Sequence, residues 1–309
     1  METIQNISQF KDRSLQTVVT IGTFDGVHFG HRKILERITS SAKKTGLKST
    51  VLTFFPHPRM VLQKDVDIKL LNTLEEKIQI LETLGLDYLV VHPFTREFSR
   101  LGAEQYVRDI LVDGLGAQRV IIGYDHRFGR NRNASIEELV AYGRTFGFEV
   151  EEIPAQEVED VSVSSTKIRM ALEAGDIETA NAYLSYAYLL TGKVAKGKGL
   201  GRDFGFPTAN LQIAESYKQI PKNGSYVVRS RLGGREVHGM MNIGFNPTVD
   251  GSKKSIEVHF FDFMGDLYGQ KIQLQLLHRI RDEQKFGSIE DLKLQLKKDR
   301  IHAMELIDK

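Results

Sequence analysis

Along the first half of the chain, short continuous apolar runs alternate with stretches whose apolar positions recur every three or four residues. The runs lie at 17–21, 49–54, 88–91, 119–122 and 148–153; the periodic stretches lie at 31–44, 74–84, 103–111 and 136–146. Short β-rich runs separated by helical segments predict βαβ units and a parallel sheet. Val120-Ile121-Ile122 is apolar along its length, as an interior strand covered on both faces requires. One further short helix is predicted from Ser164 and Ser165, whose hydroxyls suit an N-cap, with Ile168, Leu172 and Ile177 as its buried side.

The pattern changes after about Tyr186. Strand-like runs become short and turn-punctuated, at 189–194, 226–231, 237–243, 255–261 and 271–277, and Leu232-Gly233-Gly234-Arg235 reads as a tight hairpin turn. Such spacing predicts a small antiparallel β-barrel. The tail is helical: Ser288-x-x-Asp291 resembles a capping signal, followed by Leu292, Leu296 and Met304. The expected organisation is therefore an α/β domain over 1–185 and a barrel with a terminal helix over 186–309.

Composition adds limits. A chain of 309 residues fits two domains at roughly 100–200 residues each. The net charge of +2 hides −4 on residues 1–185 (22 Lys/Arg, 26 Asp/Glu) and +6 on residues 186–309 (20 and 14). The second half suits a phosphate-bearing ligand, although a solvated surface gives the same count. Overall neutrality is no nucleic-acid footprint. The chain has no cysteine, which excludes disulfides, thiolate metal sites, Fe–S clusters and a cysteine nucleophile. The N-terminal stretch lacks an apolar signal core, and no apolar run approaches the ~18 residues of a membrane span. A cytoplasmic protein without nucleic-acid or membrane partners is expected, as a monomer or a transient oligomer.

Chemistry-bearing residues follow the strands. After the first comes Gly22-Thr23-Phe24-Asp25-Gly26-Val27-His28-Phe29-Gly30-His31. Glycines permit a sharp turn, and the helix that follows points its positive end at it, which favours phosphate. His28 and His31 add donors three residues apart. Taken alone, the pair could be two surface histidines, a metal pair or a phosphate clamp. No Glu stands between them as in zinc proteases, and the G-x-G-x-x-G of dinucleotide folds is absent. The next strands end in Phe54-Phe55-Pro56-His57-Pro58, His92-Pro93-Phe94 and Gly123-Tyr124-Asp125-His126-Arg127-Phe128-Gly129. Ligands of open α/β sheets bind beyond the carboxyl ends of the strands, so these residues gather along one edge. Ser164-Ser165-Thr166-Lys167-Ile168-Arg169 forms a second phosphate-facing helix start, where ordinary capping would also explain the hydroxyls.

In the second half, Gly197, Gly199, Gly201 and Gly205 fall within nine residues, a loop able to wrap a polyphosphate or simply a flexible hairpin. Pro207-Thr208-Ala209-Asn210 follows. Thr208 and Asn210 lie on the same side of an extended chain and offer hard oxygen ligands suited to Mg²⁺.

Together these motifs resemble the bacterial bifunctional FAD synthetases, which join an FMN adenylyltransferase to a riboflavin kinase. The first half carries G-x-F-D-G-x-H-x-G-H and S-S-T-x-I-R. The second carries G-F-P-T-A-N, Gly244-Phe245-Asn246-Pro247-Thr248, Ile256-Glu257-Val258-His259, Leu267-Tyr268-Gly269 and Arg281-x-Glu283-x-Lys285-Phe286. The resemblance implies a Rossmann-like nucleotidylyltransferase domain and a riboflavin-kinase barrel. The implied substrates and products are riboflavin, ATP, FMN and FAD, with Mg²⁺ as the metal. It implies ATP or phosphate contacts at Gly22, Phe24, Asp25, His28, Gly30, His31, Ser164, Ser165, Thr166 and Arg169, and at Gly197, Gly199 and Gly201. His28 and His31 would stabilise the leaving pyrophosphate, and Glu257 would be the kinase base. Thr208 and Asn210 would hold Mg²⁺. His57, Pro58, Asp125, Arg281 and Phe286 would meet the flavin. The chain departs from the family pattern at His126, at Asn133-Ala134-Ser135 and at Leu184-Ser185-Tyr186. Two rival readings are a flavin-binding regulator that has lost the chemistry and a lone nucleotidylyltransferase with an accessory β module. The intact set His28, His31, Thr208, Asn210 and Glu257 disfavours both.

Overall fold

The computed structural model describes residues 1–63, 67–124, 126–154, 163–197, 205–248 and 251–308, without side chains at 246–248 and 251–253. The chain divides into two compact units, Met1–Ser164 and Ser165–Lys309.

The first unit is a six-stranded, wholly parallel sheet. Its strands are β1 (Glu2–Ile4), β2 (Thr17–Ile21), β3 (Lys48–Phe54), β4 (Tyr88–His92), β5 (Ala117–Gly123) and β6 (Glu149–Ile153), in the order β1-β4-β3-β2-β5-β6. The five interior and far-edge strands are those expected from the apolar runs. β2 is buried at every position, which matches its uninterrupted Val-Val-Thr-Ile character. The connecting helices are α1 (Ile7–Lys11), α2 (Phe29–Thr45), α3 (Pro58–Leu62), α4 (Leu74–Glu82), α5 (Ala103–Tyr106) and α6 (Ile136–Phe146). α5 continues as a π-turn over Val107–Val112, where one unbroken helix was expected. Ser135 and Glu138 close a capping box on α6, and Gly147 ends it at φ 80°.

The strand order fixes where a ligand can lie. The chain runs from β2 through β3 to β4 on one side, then returns to place β5 on the other side of β2. The carboxyl end of β2 therefore sits at the topological switch point of the sheet.

The second unit opens with two helices, α7 (Ser165–Ala174) and α8 (Ile177–Leu184). A single helix carrying Ile168, Leu172 and Ile177 was expected. All three are buried, but Gly175 takes a left-handed φ of 83° and Asp176 caps a new helix through the Thr179 N–H. The pair belongs with the barrel: Asn181 donates to Leu276 O at 2.9 Å and accepts from Tyr188 N at 2.8 Å. Ser185, at φ 63°, ends α8 just before the barrel begins.

The barrel is closed and antiparallel, in the order β10-β11-β8-β7-β12-β9. Its strands are β7 (Tyr188–Ala195), β8 (Ala209–Gln212), β9 (Gly224–Leu232), β10 (Arg235–Thr248), β11 (Gly251–Phe260) and β12 (Lys271–Asp282). Gly233 and Gly234 both have positive φ, the primed turn that matches the twist of the β9–β10 hairpin. The terminal helix α9 (Ile289–Ile307) begins at Ser288, whose Oγ accepts from Asp291 N at 3.1 Å. It lays Ala303 and Leu296 on a core of Phe206, Val227, Met240 and Phe261. Met304, expected on that side, is 41% exposed. The buried stripe runs instead through Asp299 and Ala303.

Candidate active sites

In the first unit the segment after β2 is held in an unfavourable shape. Phe24 (φ 45°) and Val27 (φ 39°) are left-handed without being glycine, and Gly26 between them has φ 88°. Such conformations persist only where their surroundings impose them, and they concentrate at functional sites. A Cβ at Gly22 would meet the Phe24 ring at 3.0 Å, so the ring would have to give by a few tenths of an ångström. The turn delivers His28 as the N-cap residue of α2, without a side-chain capping bond, and His31 one turn later. Their rings stack at 3.7 Å between centroids, and Phe24 meets His31 edge-on at 5.2 Å. Burial, then the neighbouring His28 and Lys77, holds His31 well below the usual imidazole range, so it is neutral at pH 7. His31 Nδ1 is a buried atom with no hydrogen-bond partner among the described residues, which suits a group that meets a ligand.

The residues of Gly22, Phe24, Asp25, His28, Gly30 and His31 are thus brought together at the switch point. Asp25 is buried and accepts from Leu71 N at 2.9 Å. Ser165, Thr166 and Arg169 stand on the first turns of α7 in the second unit, directly after Ser164. His57 caps α3, its Nδ1 accepting from Arg59 N at 3.1 Å, with Pro58 at the first helical position. Asp125 lies outside the described residues. Sequence reasoning missed two features. One is Lys77 on α4, whose Nζ donates to Thr23 O at 2.6 Å. The other is an aromatic wall at the ends of β3, β4 and β5. There Phe54, Phe94 and Phe98 lie 5.2–5.6 Å apart, and Phe98, Tyr106 and Phe128 continue the chain of ring contacts.

In the second unit the donors sit on paired strands. Glu257 of β11 is directly opposite Asn210 of β8. Thr208 Oγ1 lies 3.3 Å from Glu257 Oε2. His259, two residues along β11, holds the preceding Pro207 carbonyl through Nδ1 at 2.9 Å. Gly197 packs on the Asn210 amide so closely that a Cβ would come within 2.1 Å of Nδ2. A hydroxyl, an amide oxygen and a carboxylate converge there, a hard-oxygen set that fits Mg²⁺. Among the described residues no group of three His, Cys, Asp or Glu could hold a metal ion. Gly199 and Gly201 lie outside the described residues.

Arg281, expected as a flavin contact, pairs with α9 in the structure. Its Nε and Nη2 pair with Asp299 at 2.7–3.0 Å, and its Nη1 donates to Asp282 O at 2.9 Å. Asp299 is 3% exposed, so the pair ties α9 to the end of β12. Phe286 lies against the Arg281 guanidinium at 5.7 Å.

Comparison with known proteins follows the same division. A family model described as FAD synthetase matches residues 10–167, and one described as riboflavin kinase matches residues 184–307. A bifunctional riboflavin kinase/FMN adenylyltransferase of Escherichia coli (strain K12) is 36% identical over 303 residues, covering 98% of this chain and 96% of the relative. A protein of the same description from Listeria monocytogenes is 38% identical over 289 residues, covering 92% and 90%. A crystal structure described as a macrolide-efflux protein from Streptococcus pneumoniae superposes with a TM-score of 0.86 at 30% identity, covering 98% of both chains. The activity in that description concerns that protein; the likeness is one of fold. Among the described residues, no helix is long and apolar enough to cross a membrane.

Proposed function

The chain belongs to the bifunctional riboflavin kinase/FMN adenylyltransferase family, and from that premise we propose how its residues divide the two reactions. The enzyme makes FMN from riboflavin and FAD from FMN, with ATP as co-substrate of both steps. The first unit carries adenylyl transfer. An FMN phosphate oxygen attacks the α-phosphorus of ATP, the bond from that phosphorus to the bridging oxygen breaks, and pyrophosphate leaves. No covalent enzyme intermediate is needed, so catalysis rests on positioning and charge stabilisation. Neutral His31 donates to phosphate oxygens beside His28, at the positive end of α2. Gly22 and Gly30 let the backbone approach the nucleotide, and Phe24 and Asp25 shape the turn. His57, Pro58 and Asp125 would meet the flavin.

The barrel carries the kinase step. Glu257 takes the proton of the ribityl 5′-hydroxyl as that oxygen attacks the γ-phosphorus of ATP, the bond from that phosphorus to the β,γ-bridging oxygen breaks, and ADP leaves. Thr208 and Asn210 would hold Mg²⁺, which when bound neutralises phosphate charge. Gly197, Gly199 and Gly201 would contact the phosphates, and Phe286 would meet the flavin. The cysteine-free chain suits a cytoplasmic enzyme working as a monomer or a transient oligomer. The observation that carries this reading is the pairing of Glu257 on β11 with Asn210 on β8, with Thr208 Oγ1 3.3 Å from Glu257 Oε2. Incubating the purified chain with riboflavin, ATP and Mg²⁺ should yield FMN and then FAD, and chelation of Mg²⁺ should stop both. Absence of either product, or kinase activity that persists without a divalent ion, would count against it.

A further inference from the structure

Lys77 is a buried lysine in a place that stability alone would not choose. It is 5% exposed and lies at the fourth position of α4. The positive end of the helix dipole disfavours a cation in the first turn, and burial disfavours it again. The local sequence fixes the position firmly. Thr73 caps α4, its Oγ1 accepting from Glu76 N at 3.1 Å while Glu76 Oε2 accepts from Thr73 N at 3.0 Å. The next residue, Lys77, is thereby turned inward rather than toward water.

Its ammonium meets the back of the strained turn. Nζ donates to Thr23 O at 2.6 Å, one residue before left-handed Phe24. A further brace of the turn comes from the same region, the 2.9 Å bond from Leu71 N to Asp25, and Thr53 Oγ1 also donates to Thr23 O at 3.4 Å. Residues 71–77 therefore buttress a turn about fifty positions away in the chain. The turn ends at His28, with His31 beyond it and the Phe24 ring against His31. A shift at Thr23 would be passed to both rings.

We propose that Lys77 is the positioning residue of the adenylyl-transfer site, its buried ammonium bracing through the Thr23 carbonyl the left-handed turn that carries Phe24 and Asp25 and delivers His28 and His31. The inference rests on the reading of that turn as the transfer site. Among the described residues, the charged and titratable groups that act on or are acted on by Lys77 are Asp25 on the turn and His31 on α2, with Glu76 adjacent in the chain. Burial pushes the Lys77 ammonium down to about 8, partly offset by Asp25. The charge is thus present at neutral pH and is lost within an accessible range.

The test measures FAD formation from FMN and ATP by Lys77→Met, Lys77→Arg and His31→Ala between about pH 6 and pH 10, with melting temperatures in parallel. Lys77→Met should lose tenfold or more of kcat with KM for ATP little changed, the mark of misplaced groups rather than lost binding. Its melting temperature at pH 7 should not fall. Lys77→Arg should recover part of kcat, and the decline in wild-type transfer above about pH 8 should be absent from it, because a guanidinium stays protonated there. Lys77→Met with kcat within twofold of wild type, a loss that only tracks lowered thermal stability, or a rise in KM alone would each overturn the proposal while His31→Ala remains defective. Full transfer by His31→Ala would instead remove the reading of the turn on which the proposal rests.

Discussion

The two units hold polyphosphate-directed groups by different means. In the barrel, Asn210 and Glu257 face each other because β8 and β11 pair in a fixed register. Closure leaves no free edge, and a one-residue slip would turn every side chain to the other face. In the parallel-sheet unit, His28 and His31 depend on a turn with two left-handed non-glycine residues, braced by a helix some fifty residues downstream. The first arrangement is secured by the backbone ladder and the second by side chains. A barrel site should therefore tolerate changes around it and fail abruptly at its own donors, whereas the turn should be sensitive to its distant buttress.

The largest effect expected is at Glu257. Glu257→Gln removes the base without changing shape and should lower FMN formation by about 10²–10⁴-fold, the usual worth of a general base, while leaving FMN-to-FAD conversion intact. A comparable fall in both rates, measured on riboflavin and on FMN separately, would break the division between units. Next comes the anchor of α9. Asp299→Ala strands a buried guanidinium and should destabilise the barrel unit by about 3–5 kcal/mol in denaturant unfolding. A change under about 1 kcal/mol would mean that the pair behaves as a surface bridge does.

The smallest effects concern pH: stability rises with pH in both units, but in separate windows, alkaline in the first and acidic in the second. Lys77 is lowered on folding, to about 8 from 10.5, so between those values the unfolded chain binds more protons and the first unit gains stability as pH rises. Asp282 is lowered to about 2 from 3.8 by hydrogen bonds from Arg279 and Lys222. Its contribution is complete above the unfolded value and is lost as pH falls through about 2, so the second unit weakens in acid. Melts followed by probes placed in each unit should separate the two trends. Lys77→Met should abolish the alkaline gain.

The sheet was legible because its interior strands are apolar runs with no competing period. β1 was not, since three residues carry no periodicity, and neither was β8, whose four residues are read first as a motif. The helix break at Gly175 was hidden because Ile168, Leu172 and Ile177 fit one helical face and are all buried, only in two helices. The histidine pair and the Thr208–Asn210–Glu257 set were legible from spacing and strand position. Lys77 was not, because a lysine in an amphipathic helix reads as solvent-facing until its capping box and the Thr23 carbonyl are seen. The Arg281–Asp299 pair was hidden for the same physical reason: Asp299 lies eighteen residues on, brought close only when α9 packs back.

Separate sites sharing a diffusible intermediate are the centre of this account, and mixing two defective enzymes tests them most directly. With riboflavin, ATP and Mg²⁺, Glu257→Ala alone should produce neither FMN nor FAD, and His31→Ala alone should accumulate FMN. Combined in one tube, they should make FAD, because FMN released by one variant is adenylylated by the other. A mixture that makes no FAD, or either variant alone losing both activities equally, would contradict it.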